Sequence, residues 1–479
     1  MSIPGLGQIA PQQPTTSTTN TITLRPFWEW RFSVPRSSPT GAGATVRLTS
    51  GTAERDGTEL ALNHTYVFPR NTQSRLLTYT GGTLEVSGDY DDSSVAQYGT
   101  PEHSPQLPVL NLHFALQDLR AAAGKSGTGN TSNNNNNQGG SSDGVVPGPR
   151  VMICGGKDRG KTSLARTLAA MATRMGGQPL VASVDPREGM LALPGTISAA
   201  VFGTVMDVED PAGGFGVSGT PSSGPSAVPV KLPMVYYVGR ERVDEDVGLW
   251  RDLVGKLGSS VRAKFAADEL VREAGLIVDT PAASVAKAEV EGLIHVVNEF
   301  AINIVVVLGS PALHTELQRR LGTEKTPHGE TIALVDLVKS DGVAARDKDH
   351  MKFNREAAIK EYFFGDAKRT LSPFTQSVGF DEVAIFKAPD DSDYVDDQTT
   401  LEQAEISAEM SHWTLAVMNA SINDPPETIR QAPVMGFVAI ADVDENRRRL
   451  KILSPVSGRL GNRPLVWGRW PEPYINLLG

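Results

Sequence analysis

With 479 residues, the chain is long enough for about three domains, each with its own core. Hydrophobic residues make up 39 % and charged residues 21 %, ordinary proportions for a globular protein. No apolar run approaches the roughly 20 residues of a membrane span, so no membrane association is expected. A formal net charge of −10 argues against a general coat for nucleic-acid phosphates. The single cysteine, Cys154, excludes an internal disulfide and a multi-cysteine zinc site, and suits a reducing compartment.

Residues 1–20 are rich in Pro, Gln, Thr and Ser and lack an apolar signal core, which predicts a disordered tail rather than a secretory signal. From residue 21 the pattern becomes short alternating runs, such as Glu29-Trp30-Arg31-Phe32 and Thr65-Tyr66-Val67-Phe68, broken by Gly, Asn and Pro. These predict a β-sandwich over 21–122 that ends in a helix over 108–122, with turns at Gly51-Thr52 and Gly57-Thr58 on either side of one hairpin. A Gly/Ser/Asn tract with five consecutive asparagines marks a flexible linker over 123–148.

Over 149–366 strands alternate with helices. Apolar runs at 151–153, 179–185, 275–279, 303–308 and 331–337 predict buried strands, and 249–273, 285–300 and 311–321 predict helices. This pattern implies a parallel sheet covered on both faces. The Gly/Ser/Pro-rich stretch 211–229 is expected to be an exposed loop, and 346–363 a charged helix with little apolar face. Residues 367–479 read as a smaller, mixed, mostly β domain, with strands near 383–386, 434–441, 449–453 and 464–467 and a helix over 411–420. The fold class is thus α/β: a central P-loop parallel-sheet domain flanked by an N-terminal β-sandwich and a mostly β C-terminal domain.

The chemistry concentrates in Gly155-Gly156-Lys157-Asp158-Arg159-Gly160-Lys161-Thr162-Ser163, which fits the P-loop pattern between a β-prone run and an apolar helix. Glycines let backbone N–H groups converge on a phosphate, and the new helix adds the positive end of its dipole. Lys161 is assigned to the β- and γ-phosphates, and the Thr162 hydroxyl to Mg. Asp279, ending an apolar strand, fits the acid that holds the Mg shell; capping the next turn explains it too. Asp185 ends another strand and either orients an acceptor hydroxyl or caps a turn. Arg346 and Arg355 fit a basic lid over transferring phosphate, or a solvated helix face. Lys339-Ser340-Asp341 imitates part of a guanine-reading element but follows Val338 where an amide is needed, which leaves a GTPase as a distant reading. The basic run Arg447-Arg448-Arg449-Leu450-Lys451 is read as a solvated strand edge before a nuclear address or an RNA patch.

Several segments occur together in order: Gly57-Thr58-Glu59-Leu60-Ala61, the P-loop, Pro194-Gly195-Thr196-Ile197, Ile359-Lys360-Glu361-Tyr362-Phe363-Phe364-Gly365 and Pro455-Val456-Ser457-Gly458-Arg459-Leu460. From about residue 21 onward the chain resembles the Clp-one-type family, eukaryotic pre-mRNA cleavage-and-polyadenylation subunits related to polynucleotide 5′-hydroxyl kinases. The resemblance implies ATP and Mg as ligands, with Gly156, Lys157, Asp158, Arg159, Gly160, Lys161, Thr162 and Ser163 forming the phosphate loop. Glu29 matches a glutamate that contacts the adenine, Asp279 the Mg-holding acid, and Arg346 and Arg355 the lid.

Active kinases of the family carry Asp-x-Gly-Gln-Gly where this chain has Asp185-Pro186-Arg187-Glu188-Gly189, and a base-stacking tryptophan where it has Ala283. Asp185 is accordingly read as catalytically silent. The resemblance implies a nuclear, fungal-type subunit that binds ATP for assembly with the cleavage-factor scaffold that reads the RNA polymerase II tail. Other 3′-end processing subunits are further partners, and RNA contact is indirect. An active RNA 5′-hydroxyl kinase is the alternative.

Overall fold

The computed structural model describes residues 19–37, 43–127, 147–210, 215, 233–365, 370–387, 401–458, 460–473 and 477. The expected tail up to residue 18, most of the linker and of the 211–229 loop, the 366/367 boundary and Arg459 lie outside these residues. The chain divides into two compact units, Met1–Glu54 with Glu59–Gln97, and Arg55–Thr58 with Tyr98–Gly479.

The N-terminal strands are β1 (Asn20–Leu24), β2 (Glu29–Ser33), β3 (Ala44–Gly51), β4 (Glu54–Arg55), β5 (Thr58–Glu59), β6 (Thr65–Phe68), β7 (Gln73–Leu77), β8 (Gly82–Gly88) and β9 (Asp91–Ala96). They form a four-stranded sheet, β1-β8-β3-β6, and a five-stranded one, β5-β4-β7-β2-β9. Side chains alternate as the pleat requires: Ala44, Val46 and Leu48 of β3 are buried, with Leu84 and Val86 of β8. Phe32 of one sheet meets Phe68 of the other edge-to-face at 5.1 Å, which fills the β-sandwich between them. The hairpin lies at β4–β5, with Asp56 and Gly57 at its turn in the left-handed region. Gly51, at the end of β3, is also left-handed.

The second unit opens with α1 (Gln106–Gly127), which runs beyond the expected end at 122. It continues with β10 (Arg150–Cys154), α2 (Lys161–Arg174), β11 (Leu180–Ser183), β12 (Thr196–Val201), β13 (Met234–Tyr237), α3 (Val247–Ala267), α4 (Glu269–Ala274), β14 (Leu276–Asp279), α5 (Lys287–Glu299), β15 (Ile304–Leu308), α6 (Pro311–Leu321), β16 (Ala333–Leu337) and α7 (Lys348–Phe364). The sheet order is β13-β12-β11-β14-β10-β15-β16. Strands β11, β14, β10, β15 and β16 run parallel, while β12 and β13 add antiparallel at one edge.

Period-two alternation in β10 sends Met152 and Cys154 to one face, with Trp250 and Leu253 of α3, Leu293 of α5 and Leu313 of α6. Val151 and Ile153 turn to the other, with Leu164 and Leu168 of α2 and Leu112 and Leu116 of α1. Both faces are therefore dry, which is why these strands read as continuous apolar runs. The helix expected to span 249–273 breaks at Asp268, whose extended backbone ends α3 and whose side chain caps α4 by accepting from Val271 N. In the 211–229 stretch, expected to be exposed, Phe215 is buried edge-to-face on Phe202, because an aromatic ring in a polar loop finds the nearest apolar cover.

The remainder is a seven-stranded sheet of β17 (Phe374–Gly379), β18 (Ile385–Lys387), β19 (Glu402–Gln403), β20 (Thr414–Met418), β21 (Val434–Asp444), β22 (Arg449–Ser454) and β23 (Leu465–Trp467), in the order β17-β22-β21-β20-β23-β18-β19, with the short α8 (Pro426–Arg430). The helix expected over 411–420 is instead strand β20. Its place between β21 and β23 buries both faces, so its residues carry no alternation to betray a strand. Helix α7 has an apolar face after all: Ile359, Tyr362 and Phe363, at helical spacing, pack with Phe437, Ala439 and Leu453 of this sheet. The Tyr362 hydroxyl accepts from Phe437 N at 2.9 Å. Among the basic run, Arg448 takes a left-handed turn and Arg449 donates to Ser377 across the β17–β22 edge.

Candidate nucleotide site

The site forms where β10 ends. Strand β10 lies between β14 and β15, so the loop after it opens at the carboxyl edge of the sheet, where α/β folds bind ligands. Gly155 has φ +148°, and a Cβ there would stand 2.5 Å from the Leu308 carbonyl oxygen. Gly160 is left-handed at φ +91° and turns the chain into α2 at Lys161. At these two positions the loop has room only for glycine or only a glycine conformation. Asp158 also adopts positive φ, at +50°.

Lys161 folds back over the loop and donates from Nζ to the Gly156 carbonyl at 3.1 Å. Register places Ile153 opposite Asp279 and Ser183 opposite Asp279, so β10, β11 and β14 end side by side. The Thr162 hydroxyl then donates to Asp279 Oδ2 at 2.6 Å. Asp279 is 4 % exposed, and its other oxygen, Oδ1, is buried without a hydrogen-bond partner. A buried carboxylate oxygen left open beside a threonine hydroxyl is the donor set a hard divalent cation takes, so these residues fit Mg. Lys161, the loop N–H groups and the N-terminus of α2 fit the phosphates of a nucleotide. Bound there, such a cation would neutralise phosphate charge.

Asp185 follows β11, half-buried, and its Oδ1 accepts from Arg187 N at 3.0 Å, the turn-capping arrangement. Burial, and then the charge of Glu188, push its pKa up to about 6. Burial likewise pushes Asp279 up to about 6, against the pull of Lys161 and the Thr162 hydrogen bond. The folded chain keeps both protons up to about pH 6, whereas the unfolded chain releases them near the ordinary 3.8. Between those values the folded state binds more protons, so ligand-free stability falls as pH rises through the window and stays lowered above it. Thermal melts of the ligand-free protein are expected to show this fall between pH of about 4 and 6. Asp185→Asn is expected to make it shallower, leaving the share of Asp279, and Mg with nucleotide to recover stability at neutral pH.

Arg346, in the segment before α7, is placed at the loop: its Nε reaches Asp158 Oδ1 at 3.3 Å and its Nη1 reaches Glu188 Oε2 at 2.9 Å. Arg355 is held in the second unit by Glu472 at 2.6 Å and lies 4.4 Å over the Trp470 ring. Trp470 Nε1 in turn donates to the Arg187 carbonyl at 3.1 Å, while the Arg187 guanidinium turns to Glu241. Lys157 is exposed, Arg159 lies against Gly156 and Gly309, and Ser163 Oγ accepts from Arg166, which pairs with Asp56 at 3.1 Å. Glu29 belongs to the first unit, fully buried on β2 between Arg31 and Arg75.

Ala283 is buried and donates from its N to the Gly155 carbonyl at 3.0 Å, tying the segment after β14 to the loop. Cys154 is buried in the core beneath the loop, where burial pushes its thiol up to about 12 and keeps it inert. Sequence reasoning missed Asp56, Arg166, Glu241, Trp470 and Glu472. Their partners stand far along the chain, and no local spacing announces them.

Three family descriptions match the chain in order: an N-terminal beta-sandwich domain of polyadenylation factor over 23–123, the mRNA cleavage and polyadenylation factor CLP1 P-loop over 155–365, and the pre-mRNA cleavage complex II protein Clp1 over 371–472. A protein of Chaetomium globosum called mRNA cleavage and polyadenylation factor CLP1 is 76 % identical, with 100 % of both chains covered. Its namesake in Neurospora crassa is 55 % identical over the same full coverage. Among solved structures, Clp1p in a wild-type Clp1p–Pcf11p complex superposes with a TM-score of 0.80 at 27 % identity, covering 95 % of this chain and 98 % of that one. A second structure, of equal TM-score and identity and covering 95 % of this chain and 99 % of that one, describes an extended Pcf11p–Clp1p interface and the basis for ATP loss in a glycine-to-arginine mutant. With its P-loop, its β-sandwich and its mostly β C-terminal sheet all matched, the chain belongs to the Clp1 family of mRNA cleavage and polyadenylation factors.

Proposed function

We propose that this chain is an ATP-binding subunit of the nuclear mRNA 3′-end cleavage and polyadenylation machinery, in which Mg and ATP are held as structural ligands without turnover. The observation that carries the reading is the P-loop itself. Lys161, Thr162 and the open oxygen of Asp279 stand ready for a nucleotide, while the one lid arginine at the loop, Arg346, is already paired with two carboxylates. Phosphoryl transfer draws on cations aimed at developing charge, and a neutralised guanidinium supplies little of it. Ala283, buried against the loop, offers no ring for a base to stack on, which supports indirect contact with RNA.

A tightly held nucleotide stabilises the folded chain by RT ln(1 + [L]/Kd), about 4 kcal/mol at a thousandfold excess over Kd. The relative seen bound to Pcf11p supports a scaffold subunit of that kind as the main partner. The test is to purify the chain without added nucleotide, denature it and identify what is released. Intact ATP near one per chain is the expected result, together with no transfer of labelled γ-phosphate to a 5′-hydroxyl oligonucleotide. Transfer that Lys161→Ala abolishes would instead establish an RNA 5′-hydroxyl kinase.

A further inference from the structure

We infer that Glu188 is a positioning residue for the phosphate loop: an intramolecular anion that occupies Arg346 and so sets how strongly the site grips Mg·ATP. The inference rests on the nucleotide reading above and assigns a role within that site. Arg346 bridges two segments at the mouth of the loop. Asp158 belongs to the phosphate loop and stands in the left-handed region between Gly156 and Gly160. Glu188 belongs to the turn after β11 that also carries Asp185. One guanidinium therefore links the turn after β11 to the phosphate loop.

The geometry gives Arg346 a prior commitment. Its Nη1 contact to Glu188, at 2.9 Å, is the shorter of the two and is charge-assisted. A phosphate oxygen that takes this cation must share its charge with, or displace, a carboxylate already on it. The side chains of Arg346 and Glu188 are each about one-third exposed, at 32 % and 31 %, so the pair is neither sealed in the core nor fully screened. The neighbouring cations do not relieve it. Arg187, one residue before Glu188, is turned to Glu241, and Arg355 is held by Glu472. Glu188 thus competes with nucleotide phosphate for one cation, and it does so through Arg346 rather than by its charge alone.

The test is a double-mutant cycle on the full-length protein, stripped of nucleotide and titrated with Mg·ATP by calorimetry at low salt. Glu188→Gln keeps the shape and removes the charge, and is expected to tighten binding about tenfold, the worth of one charge-assisted hydrogen bond. In an Arg346→Ala background the same change is expected to alter affinity by less than about twofold, because no cation is left to release. Asp158→Asn, which frees the other contact of Arg346, is expected to act in the same direction as Glu188→Gln, and melts of the nucleotide-free variants check that each is folded. Unchanged or weaker binding in Glu188→Gln overturns the inference. Equal tightening with and without Arg346 overturns it as well, since the carboxylate would then act by simple repulsion. A parent chain that binds no ATP at all overturns the nucleotide reading itself, a result separate from either of these.

Discussion

Lys161→Ala is expected to weaken Mg·ATP binding by about a hundredfold or more, the loss that follows when a buried or half-buried charge partner of an anion is truncated. Lys161 opens α2, and its ammonium lies back over the loop on the Gly156 carbonyl, a neutral acceptor that a phosphate replaces at little cost. Alanine keeps the helix start, because the loop's shape comes from Gly155 and Gly160 and from core packing of Leu164 and Leu168 below. Melting without nucleotide is therefore expected to move little, whereas the stabilisation given by Mg·ATP is expected to vanish. Calorimetric titration with parallel melts reads both effects. Parent-like affinity in the variant would move the nucleotide away from the P-loop.

Arg150→Ala is expected to destabilise the second unit by about 3–5 kcal/mol, the cost of breaking a buried ion pair from one side. Arg150 is 2 % exposed at the start of β10, the strand that delivers the phosphate loop. Its guanidinium pairs with Glu330, donates from Nε to the Ala301 carbonyl at 2.6 Å and from Nη1 to the Gly148 carbonyl at 3.0 Å. Asn303 joins the same cluster, accepting from Arg150 N at 2.9 Å and donating to Glu330 at 3.1 Å. Truncation leaves two carbonyls without the donor they share and takes the charged partner from the Glu330 carboxylate. Urea denaturation followed by loss of Mg·ATP binding is expected to shift to markedly lower urea. A change below about 1 kcal/mol would show that the cluster is hydrated or rearranges, and that β10 is held by its apolar neighbours alone.

Much of this protein was legible in one dimension. Glycines at 155 and 160, a lysine and a threonine at fixed spacing, and an apolar strand before them prescribe the loop, because its conformation depends on residues within a few positions of one another. Continuous Val/Ile/Leu runs at 276–279 and 304–308 announced strands dry on both faces, and alternation in β3 and β8 announced a sandwich. Short-range rules failed where the decisive neighbour was remote. Residues 414–418 form a central strand because β21 and β23 flank them, and α7 finds its apolar partners in Phe437 and Leu453. Pairings such as Arg346 with Glu188, Arg355 with Glu472 and Arg166 with Asp56 span more than a hundred residues. A charged side chain has the same local signature whether it meets water, a phosphate or a carboxylate. Which of these it meets is settled by the long-range packing that brings the segments together, so the sequence determined the phosphate loop and only the tertiary structure decided what its arginines hold.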